Sequence, residues 1–340
     1  MSGPTSLLNT ITLPEFTDLL ERNFVAVQNT VKPIAQQMFI TDDMSEHTGN
    51  SRIYNEWDTQ QYASIKLEGQ NASKALAGVG YNKTLYAKRI AKEIDITWEM
   101  RRYTKYPEIT GKMDSLTNYC PLRIDIDLTH RITFATVTSY VDMDGITVDV
   151  TGGDGLSVAN AAHTLAFSPT TWSNLVPGAP AVSRAGLEAA EILANTNILS
   201  NFGDKRVMDF NVIFSTDDPS TVNNIQELLR STASPSAPNS GVENVYAAKY
   251  RHVVLKNLAT TATGATDTTK RRWWGLAAVG QGVNGWQAYF GQFEAPHLIT
   301  PAVGNNGEDV HNDNWTFGTR ASYGIAVVSG RGFILSNPVS

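Results

Sequence analysis

The last quarter of the chain constrains the fold most, because its aromatic and glycine residues occur in an order typical of successive strands. Two aromatic-rich segments, 271–276 and 286–290, are followed by an extended crossing at 294–296. A closing segment, 319–335, then carries Arg, Tyr and Gly residues and leads into Phe333. Aromatic and β-branched side chains are enriched in strands. This order predicts that the carboxyl-terminal part of the chain supplies strands to a β-rich core.

Length and composition limit the classes of protein that fit. The 340 residues are 41 % hydrophobic and 18 % charged, which allows two domains or one core with long excursions. A net charge of −6 argues against a surface that grips nucleic acid throughout. The single cysteine, Cys120, excludes an internal disulfide and a multi-cysteine zinc site. No stretch of about 20 apolar residues is present to span a bilayer.

An amphipathic helix is predicted near the amino terminus. It opens at Leu13-Pro14-Glu15, where proline suits the first turn, and Pro33 ends it. Its apolar residues recur near helical spacing: Phe16, Leu19, Leu20, Phe24 and Val27. Two interpretations remain open, because amphipathicity does not say which chain covers the apolar face. The helix either folds onto its own domain or is an arm laid over a neighbouring subunit.

A long extended hairpin is predicted next. Its arms are 60–67 and 83–96, separated by the small and polar run 68–82. Neither face of the second arm is consistently apolar, and a hairpin with no buried side is poorly stable in isolation. We therefore expect it to pack against another surface, such as that of an adjacent subunit.

A helix with one apolar stripe is predicted between Pro107 and Thr138. The stripe recurs at three- and four-residue steps and contains Met113, Leu116, Cys120, Ile124, Leu128 and Ile132. Pro121 lies inside it and is expected to kink the helix or split it in two. Cys120 falls on the apolar stripe, which favours a core thiol over a nucleophile.

Further elements follow in a mixed order of strands and helices. Strands are predicted at 140–150, with a turn at Asp144-Gly145, and at 165–167, 210–214 and 245–258. Helices are predicted from the N-cap Ser183 through Ile198 and from Asp218-Pro219 through Leu229. The runs 231–241 and 259–269 are predicted loops.

Two apparent chemical motifs are better explained without chemistry. Gly280 to Gly285 has the spacing of a dinucleotide-binding loop, but a strand-like segment follows where a helix is needed, which favours a glycine-rich hairpin turn. Asp125, Asp127 and His130 suggest a metal site, yet the two carboxylates would point apart on a helix, which favours solvated charge. No catalytic residues, cofactor or metal are predicted.

Positive charge is concentrated in the second hairpin arm and in the segment that leads from it into the next helix. The acidic residues lie elsewhere, among them Asp42, Glu56, Asp58 and Asp218. One interpretation is that these residues lie on a solvated surface, where ion pairs between them are weak. The other is a basic arm that meets an acidic platform on the next subunit, where charge selects partner and register. The basic residues are Lys83, Lys88, Arg89, Lys92, Arg101, Arg102 and Lys105.

The order of these elements resembles that of the major capsid proteins of tailed bacteriophages, a fold shared with encapsulin shells. The resemblance covers nearly the whole chain and is sharpest at 81–103, 244–256, 273–296 and 320–325. It implies an α+β fold with an amino-terminal arm (1–49), an extended hairpin loop (50–100), a peripheral domain with a spine helix (101–202), an axial domain (203–312) and a returning strand (313–340).

The resemblance also implies a function and partners. Identical chains would form hexamers and pentamers of an icosahedral head shell around double-stranded DNA, which is contacted non-specifically. Scaffolding, portal and decoration proteins are the further partners, and the location is the virion after synthesis in the host cytoplasm. The expected inter-subunit contacts in the arm and hairpin are Phe16, Leu20, Phe24, Lys66, Lys74, Tyr81, Lys83, Lys88, Arg89 and Lys92.

Two alternatives and two departures from the family accompany this interpretation. An encapsulin-like compartment or a soluble α+β enzyme is the alternative function. The first departure is Pro121, which lies inside a spine helix that is usually long in the family. The second is that the chain reaches its arm almost at once, so the scaffold is expected to be a separate protein or absent. No lysine and asparagine can be matched to the covalent cross-link of some members. Deleting 69–80 is expected to leave a folded subunit that forms no stable shells.

Overall fold

The structure is a computed structural model that describes residues 17–18, 20–22, 24–26, 33–59, 62–74, 77–103, 106–231, 243–301 and 314–339. Four helices are described in full: α1 (Trp98–Arg102), α2 (Tyr106–Thr133), α3 (Arg184–Thr196) and α4 (Pro219–Arg230). Residues 17–18, 20–22 and 24–26 are also helical, whereas Phe16, Leu19 and Val27 of the predicted helix lie outside the described residues.

Fourteen strands are described. The first six are β1 (Ile40–Asp43), β2 (Ser51–Thr59), β3 (Ala77–Tyr86), β4 (Lys88–Ile96), β5 (Ser139–Val141) and β6 (Thr147–Asp149). The others are β7 (His163–Thr164), β8 (Thr171–Trp172), β9 (Val212–Ser215), β10 (Arg251–Val254), β11 (Trp274–Ala277), β12 (Ala288–Ile299), β13 (Trp315–Val327) and β14 (Phe333–Ser336). None of the described helices is both long and apolar enough to cross a membrane.

Two four-stranded sheets organise the chain. One has the order β1-β12-β13-β4, and the other has the order β10-β9-β11-β14. The second sheet is buried on both faces: Phe214 packs into one hydrophobic cluster while its neighbour Ile213 packs into another. Gly275 is required here, because a Cβ on it would lie 2.5 Å from the Phe214 ring. The aromatic strands predicted in the last quarter are therefore the strands of these sheets.

The spine helix α2 packs on the core with the predicted stripe. Leu116, Cys120, Ile124, Leu128 and Ile132 are all buried. Burial raises the pKa of the Cys120 thiol, which confirms the core thiol. Pro121 lies inside one continuous helix of 28 residues, so the predicted split is wrong. A proline removes one backbone hydrogen bond, and the buried stripe on both sides of it holds the helix together.

Both helix caps predicted from the sequence are present. The Ser183 hydroxyl accepts a hydrogen bond from the Gly186 amide, and the Asp218 carboxylate accepts one from the Thr221 amide. The turn at Gly145 between β5 and β6 is also confirmed, with a positive φ of 78°. The glycine-rich segment 280–285 is not the predicted hairpin turn, because β11 and β12 belong to different sheets. It contains a short 3₁₀ turn that links the two sheets.

Strand positions in the hairpin also differ from the prediction. β2 ends at Thr59, and residues 62–67 carry no strand, so the first arm precedes the predicted 60–67. The second arm breaks at Ala87 into β3, which pairs with β2, and β4, which pairs with β13. The strand predicted at 165–167 is absent, since β7 ends at Thr164, and the one predicted at 245–258 is limited to β10.

Candidate subunit interface

The hairpin formed by β2 and β3 buries two carboxylates and exposes apolar side chains. On β2, Tyr54, Glu56 and Asp58 are buried against the rest of the chain, whereas Ile53 and Trp57 on the other face are exposed. Trp57 lies opposite Val79 of β3, which is also exposed. The inward face therefore has an apolar part, where Tyr54 packs with Leu85, and a charged part formed by Glu56 and Asp58.

The inward face is held by a cluster that we call the clamp, defined as Glu56, Asp58, Asn201, Arg206 and Arg331. The Arg331 guanidinium donates to the Glu56 carboxylate, and it also donates to Asn201 Oδ1 over 3.0 Å. Asn201 in turn donates its side-chain amide to Glu56 Oε2 over 2.9 Å and its backbone amide to Asp58 Oδ2 over 2.7 Å. Arg206 pairs with Asp58 at 3.5 Å.

Burial makes the clamp energetically important. Arg331 is 2 % exposed and Glu56 is 1 % exposed, so both charges have lost their hydration. A desolvated charge must be neutralised and hydrogen-bonded, and each of these groups has several partners. Gly80 of β3 is needed for the same contact, because a Cβ there would lie 2.4 Å from Asn201 Nδ2. The clamp thus holds the paired strands β2 and β3, which we call the base of the hairpin, on their own chain.

Strand β3 has two further anchors. The hydroxyls of Tyr81 and Thr164 are 2.9 Å apart, and Lys83 Nζ donates to Asp149 Oδ2 over 2.6 Å. The loop at Gly153 also touches this strand, since a Cβ on that glycine would lie 2.9 Å from Tyr81 Cβ. Both Tyr81 and Lys83 therefore have partners within the chain.

Lys88 begins β4 and enters a second buried ionic network. Its Nζ donates to Asp127 Oδ2 over 3.2 Å and to Asp142 Oδ2 over 2.9 Å. Arg123 of α2 donates to the same two carboxylates. Tyr323 of β13 donates to Asp127 over 2.5 Å. The network joins β4, the spine helix, β13 and the loop after β5.

The pKa shifts agree with this geometry. Burial acts to raise the pKa of Asp142, but hydrogen bonds from Lys88 and from the Ile146 and Asp144 amides outweigh it, so the pKa lies below its ordinary value. Burial and the neighbouring Asp127 charge raise the pKa of Tyr323 well above its ordinary value. Asp142 is therefore an anion that its partners stabilise. Tyr323 remains protonated, and its hydroxyl donates a hydrogen bond to Asp127.

The metal motif on the spine helix is accounted for by these contacts. Asp125 accepts from the Ala35 amide and from Asn257, while Asp127 faces Lys88 on another side. His130 is buried, and desolvation lowers its pKa to about 4. The prediction of solvated charge is wrong for Asp127 and His130, because both are buried and paired. Among the described residues, no group of three or more His, Cys, Asp or Glu could hold a metal.

The tip of the hairpin, which we define as residues 62–74, contrasts with the base. Every residue in it is exposed. Three of them are large and apolar: Tyr62, Leu67 and Ile65, the last of which is 91 % exposed. A backbone hydrogen bond from the Gln70 amide to the Leu67 carbonyl closes a turn near the middle of the tip. The tip therefore presents apolar surface that the described part of the chain does not cover.

Nine of the ten residues predicted as inter-subunit contacts lie in the described part of the chain and fall into three groups. Lys66 and Lys74 lie in the exposed tip, and Arg89 and Lys92 are exposed on β4. Tyr81, Lys83 and Lys88 contact their own chain, as described above. Leu20 and Phe24 are buried, and Leu20 packs in a cluster with Ile96 and Phe317 of the same chain. Phe16 lies outside the described residues. Contact with another subunit stays a prediction for all ten.

The clamp is not predicted from the sequence. The sequence predicts that Glu56 and Asp58 lie on a solvated surface or on a platform for the next subunit, but the structure buries both within the chain. The partners Glu56 and Arg331 are 275 residues apart in sequence, so no local pattern connects them. A signal was present, because Tyr54, Glu56 and Asp58 alternate with Ile53 and Trp57 at the spacing of a strand.

A pair of lysine substitutions separates an internal role from an external one. Lys88→Met removes a cation from two buried carboxylates that retain Arg123, and we expect it to lower the free energy of unfolding of the subunit by about 2 kcal/mol. Lys92→Met, on the exposed part of the same strand, should change it by less than about 0.5 kcal/mol. Urea unfolding of the two variants measures this difference. Equal effects would contradict the internal role of Lys88.

Comparisons with known proteins identify the fold. No protein-family model matches the chain, and no curated protein matches it. Among solved structures, it is similar to the capsid structure of the cyanophage P-SCSP1u, with 12 % identity, a TM-score of 0.50 and coverage of 88 % of this chain and 86 % of that chain. The capsid of Ralstonia phage GP4 matches with 12 % identity, a TM-score of 0.50 and coverage of 88 % and 86 %.

At this level of identity, the shared property is the fold. The chain has the phage major capsid fold over most of its length, and the predicted α+β class is confirmed.

Proposed function

We propose that the chain is the major capsid protein of a tailed bacteriophage. Identical copies would associate into hexamers and pentamers and close an icosahedral shell around double-stranded DNA. The observation that carries this proposal is the hairpin: its base is locked by buried ion pairs, and its tip exposes Tyr62, Ile65 and Leu67. The phage capsid fold of the chain supports the same function.

The energetics favour a second copy as the partner of the tip. Burying an exposed Ile or Leu side chain contributes about 1.5–3 kcal/mol, so one tip gives a modest contact. A closed shell repeats that contact many times, and many weak contacts act together once the shell closes. Because the clamp holds β2 and β3 on their own chain, these strands do not have to be ordered at each association.

The same proposal assigns roles to the rest of the chain. The arm (1–49) and the hairpin loop (50–100) would lie across neighbours, and loops of the axial domain (203–312) would meet around the capsomer axis. Scaffolding, portal and decoration proteins are the proposed further partners, and the proposed location is the virion. With a net charge of −6, the chain would contact packaged DNA through local basic residues and without sequence readout. The role needs no catalysis.

Assembly of the purified full chain tests the proposal. We expect light scattering after size-exclusion chromatography to show particles of many copies, and electron micrographs to show closed shells or isolated capsomers. A monomer at every concentration tested would contradict it. Closed shells that enclose a protein cargo would favour an encapsulin-like compartment, which shares the fold.

A further inference from the structure

A cavity of about 420 Å³ lies where the hairpin joins the body of the chain. Its walls come from the break between β3 and β4 at Ala87, from α2, from the β5–β6 pair and from β13. Cavities of about 300–1,000 Å³ with a few polar groups are typical of ligand sites. Nothing in the proposed shell function uses this one.

Charged side chains of both signs line the cavity. Three cations and two carboxylates are among its described lining residues: Lys83, Lys88, Arg131, Asp127 and Asp149. Each lysine pairs with one of the carboxylates, Lys83 with Asp149 at 2.6 Å and Lys88 with Asp127 at 3.2 Å. The lining therefore has one cation more than it has carboxylates, and that cation is Arg131.

Neither carboxylate has an oxygen left for Arg131. Asp149 Oδ1 accepts from the amide and the hydroxyl of Thr151, while its Oδ2 accepts from Lys83. Asp127 accepts on both oxygens within the buried ionic network described above. Burial acts to raise the pKa of Asp149, but the hydrogen bonds from Lys83 and Thr151 outweigh it, so the pKa lies below its ordinary value. Both anions are thus fully used by other partners.

The Arg131 guanidinium is desolvated without an anion beside it. Its Nη1 donates to the Asp149 backbone carbonyl, and its buried Nε has no hydrogen-bond partner among the described residues. Burial lowers the pKa of Arg131 below its ordinary value, because the neighbouring negative charges do not fully offset the loss of hydration. Arginine nevertheless stays charged in proteins, and a desolvated charge is stable only when it is neutralised and hydrogen-bonded.

We propose that this cavity binds an oxyanion, a phosphate or a carboxylate group, on the Arg131 guanidinium. A planar guanidinium matches such a group with two parallel N–H···O bonds, and these charge-assisted bonds are roughly twice as strong as neutral ones. The anion would offset the unpaired positive charge and give an acceptor to the buried Nε. The cavity also has room for the group that carries the anion. The proposal stands on the fold and does not depend on the shell function.

A bound anion would act at the foot of the hairpin. Lys83 of β3 and Arg131 of α2 both donate to Asp149 of β6, so these three elements already meet at the cavity. An anion held by Arg131 would relieve the uncompensated charge at this junction. We therefore expect it to stabilise the folded subunit.

Thermal unfolding of the full chain in sodium phosphate, sodium acetate and sodium chloride, at one pH and one ionic strength, tests the proposal. A ligand that binds only the folded state stabilises it by mass action, so the thermal midpoint should rise with the concentration of the binding anion. Phosphate also stabilises folded proteins in general, because it is excluded from their surfaces. The measured quantity is therefore the part of the rise that Arg131→Gln loses.

Three variants separate the guanidinium from general charge effects. Arg131→Gln should weaken the apparent affinity for the anion by about tenfold or more, the effect of losing charged hydrogen bonds. Arg131→Lys keeps the charge without the parallel donors and should give an intermediate response. Arg272→Gln removes an exposed arginine outside the cavity and should keep the full response. An Arg131-dependent rise in phosphate alone identifies a phosphate group as the ligand, and one in acetate identifies a carboxylate.

A structure of the full chain determined in phosphate and in acetate does not depend on the folding of a variant. Density for an anion should lie within hydrogen-bond distance of the Arg131 guanidinium and be absent in chloride. An empty cavity in both anions would overturn the proposal. So would equal rises in the unaltered chain and the Arg131 variants, because any density would then be an adventitious ion only. Neither measurement requires a shell, so a failed assembly experiment leaves both readable.

Discussion

Replacing residues 63–73 with a short Gly-Ser linker is expected to abolish shell formation while leaving a folded subunit. All of these residues are exposed, so their removal takes nothing from the described core. The base keeps its clamp and its Tyr81 and Lys83 contacts. The variant should elute as a monomer or small oligomer, with the circular dichroism and thermal midpoint of the unaltered chain. Electron microscopy should show no closed particles.

Controls separate loss of apolar contact from loss of loop length. Ile65→Ser combined with Leu67→Ser keeps the length and removes two of the three exposed large apolar side chains, and it should weaken assembly by about 3–6 kcal/mol per tip. Gln70→Ser combined with Asn71→Ser alters only polar residues of the same loop and should assemble normally. Normal particles from the linker variant would refute the role of the tip. The broader deletion of 69–80 is a poorer test, because it removes part of β3 and Gly80.

Arg331→Leu is expected to lower the free energy of unfolding of the isolated subunit by about 3–5 kcal/mol. The substitution removes the cation that donates a hydrogen bond to the buried Glu56, and a buried charge that loses its partner is costly. It also frees the hairpin base, so proteolysis should cut first in β2 or β3. Adding Glu56→Gln removes the uncompensated charge and should recover part of the loss. Urea unfolding followed by circular dichroism measures both effects.

Arg320→Leu is the matched control for this prediction. Arg320 forms a bidentate pair with Glu294 on β13 and β12, but both side chains are partly exposed to solvent. Solvent-exposed pairs contribute about 0–1 kcal/mol. A loss at Arg331 no larger than that at Arg320 would show that the clamp does not hold the hairpin.

The sequence predicts best those elements in which apolar side chains are buried and polar side chains are exposed or cap a helix. The stripe of α2 is apolar and faces the core, and Ser183 and Asp218 cap helices that begin where a side-chain oxygen is available. These signals are local, since each involves residues within a few positions of one another. They were sufficient for these helices, whereas the α+β class was implied by the family resemblance.

The hairpin could not be predicted in the same way, because it buries two carboxylates and exposes apolar side chains. On β2, Glu56 and Asp58 point inward while Ile53 and Trp57 point outward, so reading apolar residues as buried misplaces the strand. The inward carboxylates are tolerated only because Arg206, Asn201 and Arg331 arrive from distant parts of the chain. The Lys88 network escaped prediction for the same reason: its carboxylates come from α2 and from the loop after β5.

The hairpin is anchored in its own chain at the base, and we propose that another copy of the chain covers its tip. A cryo-electron microscopy reconstruction of the assembled full chain tests it most directly. We expect the tip residues Tyr62, Ile65 and Leu67 of each copy to be buried against a neighbouring copy, with the Arg331–Glu56 pair intact beneath them. Particles in which these side chains remain in solvent, or a chain that stays monomeric, would contradict it.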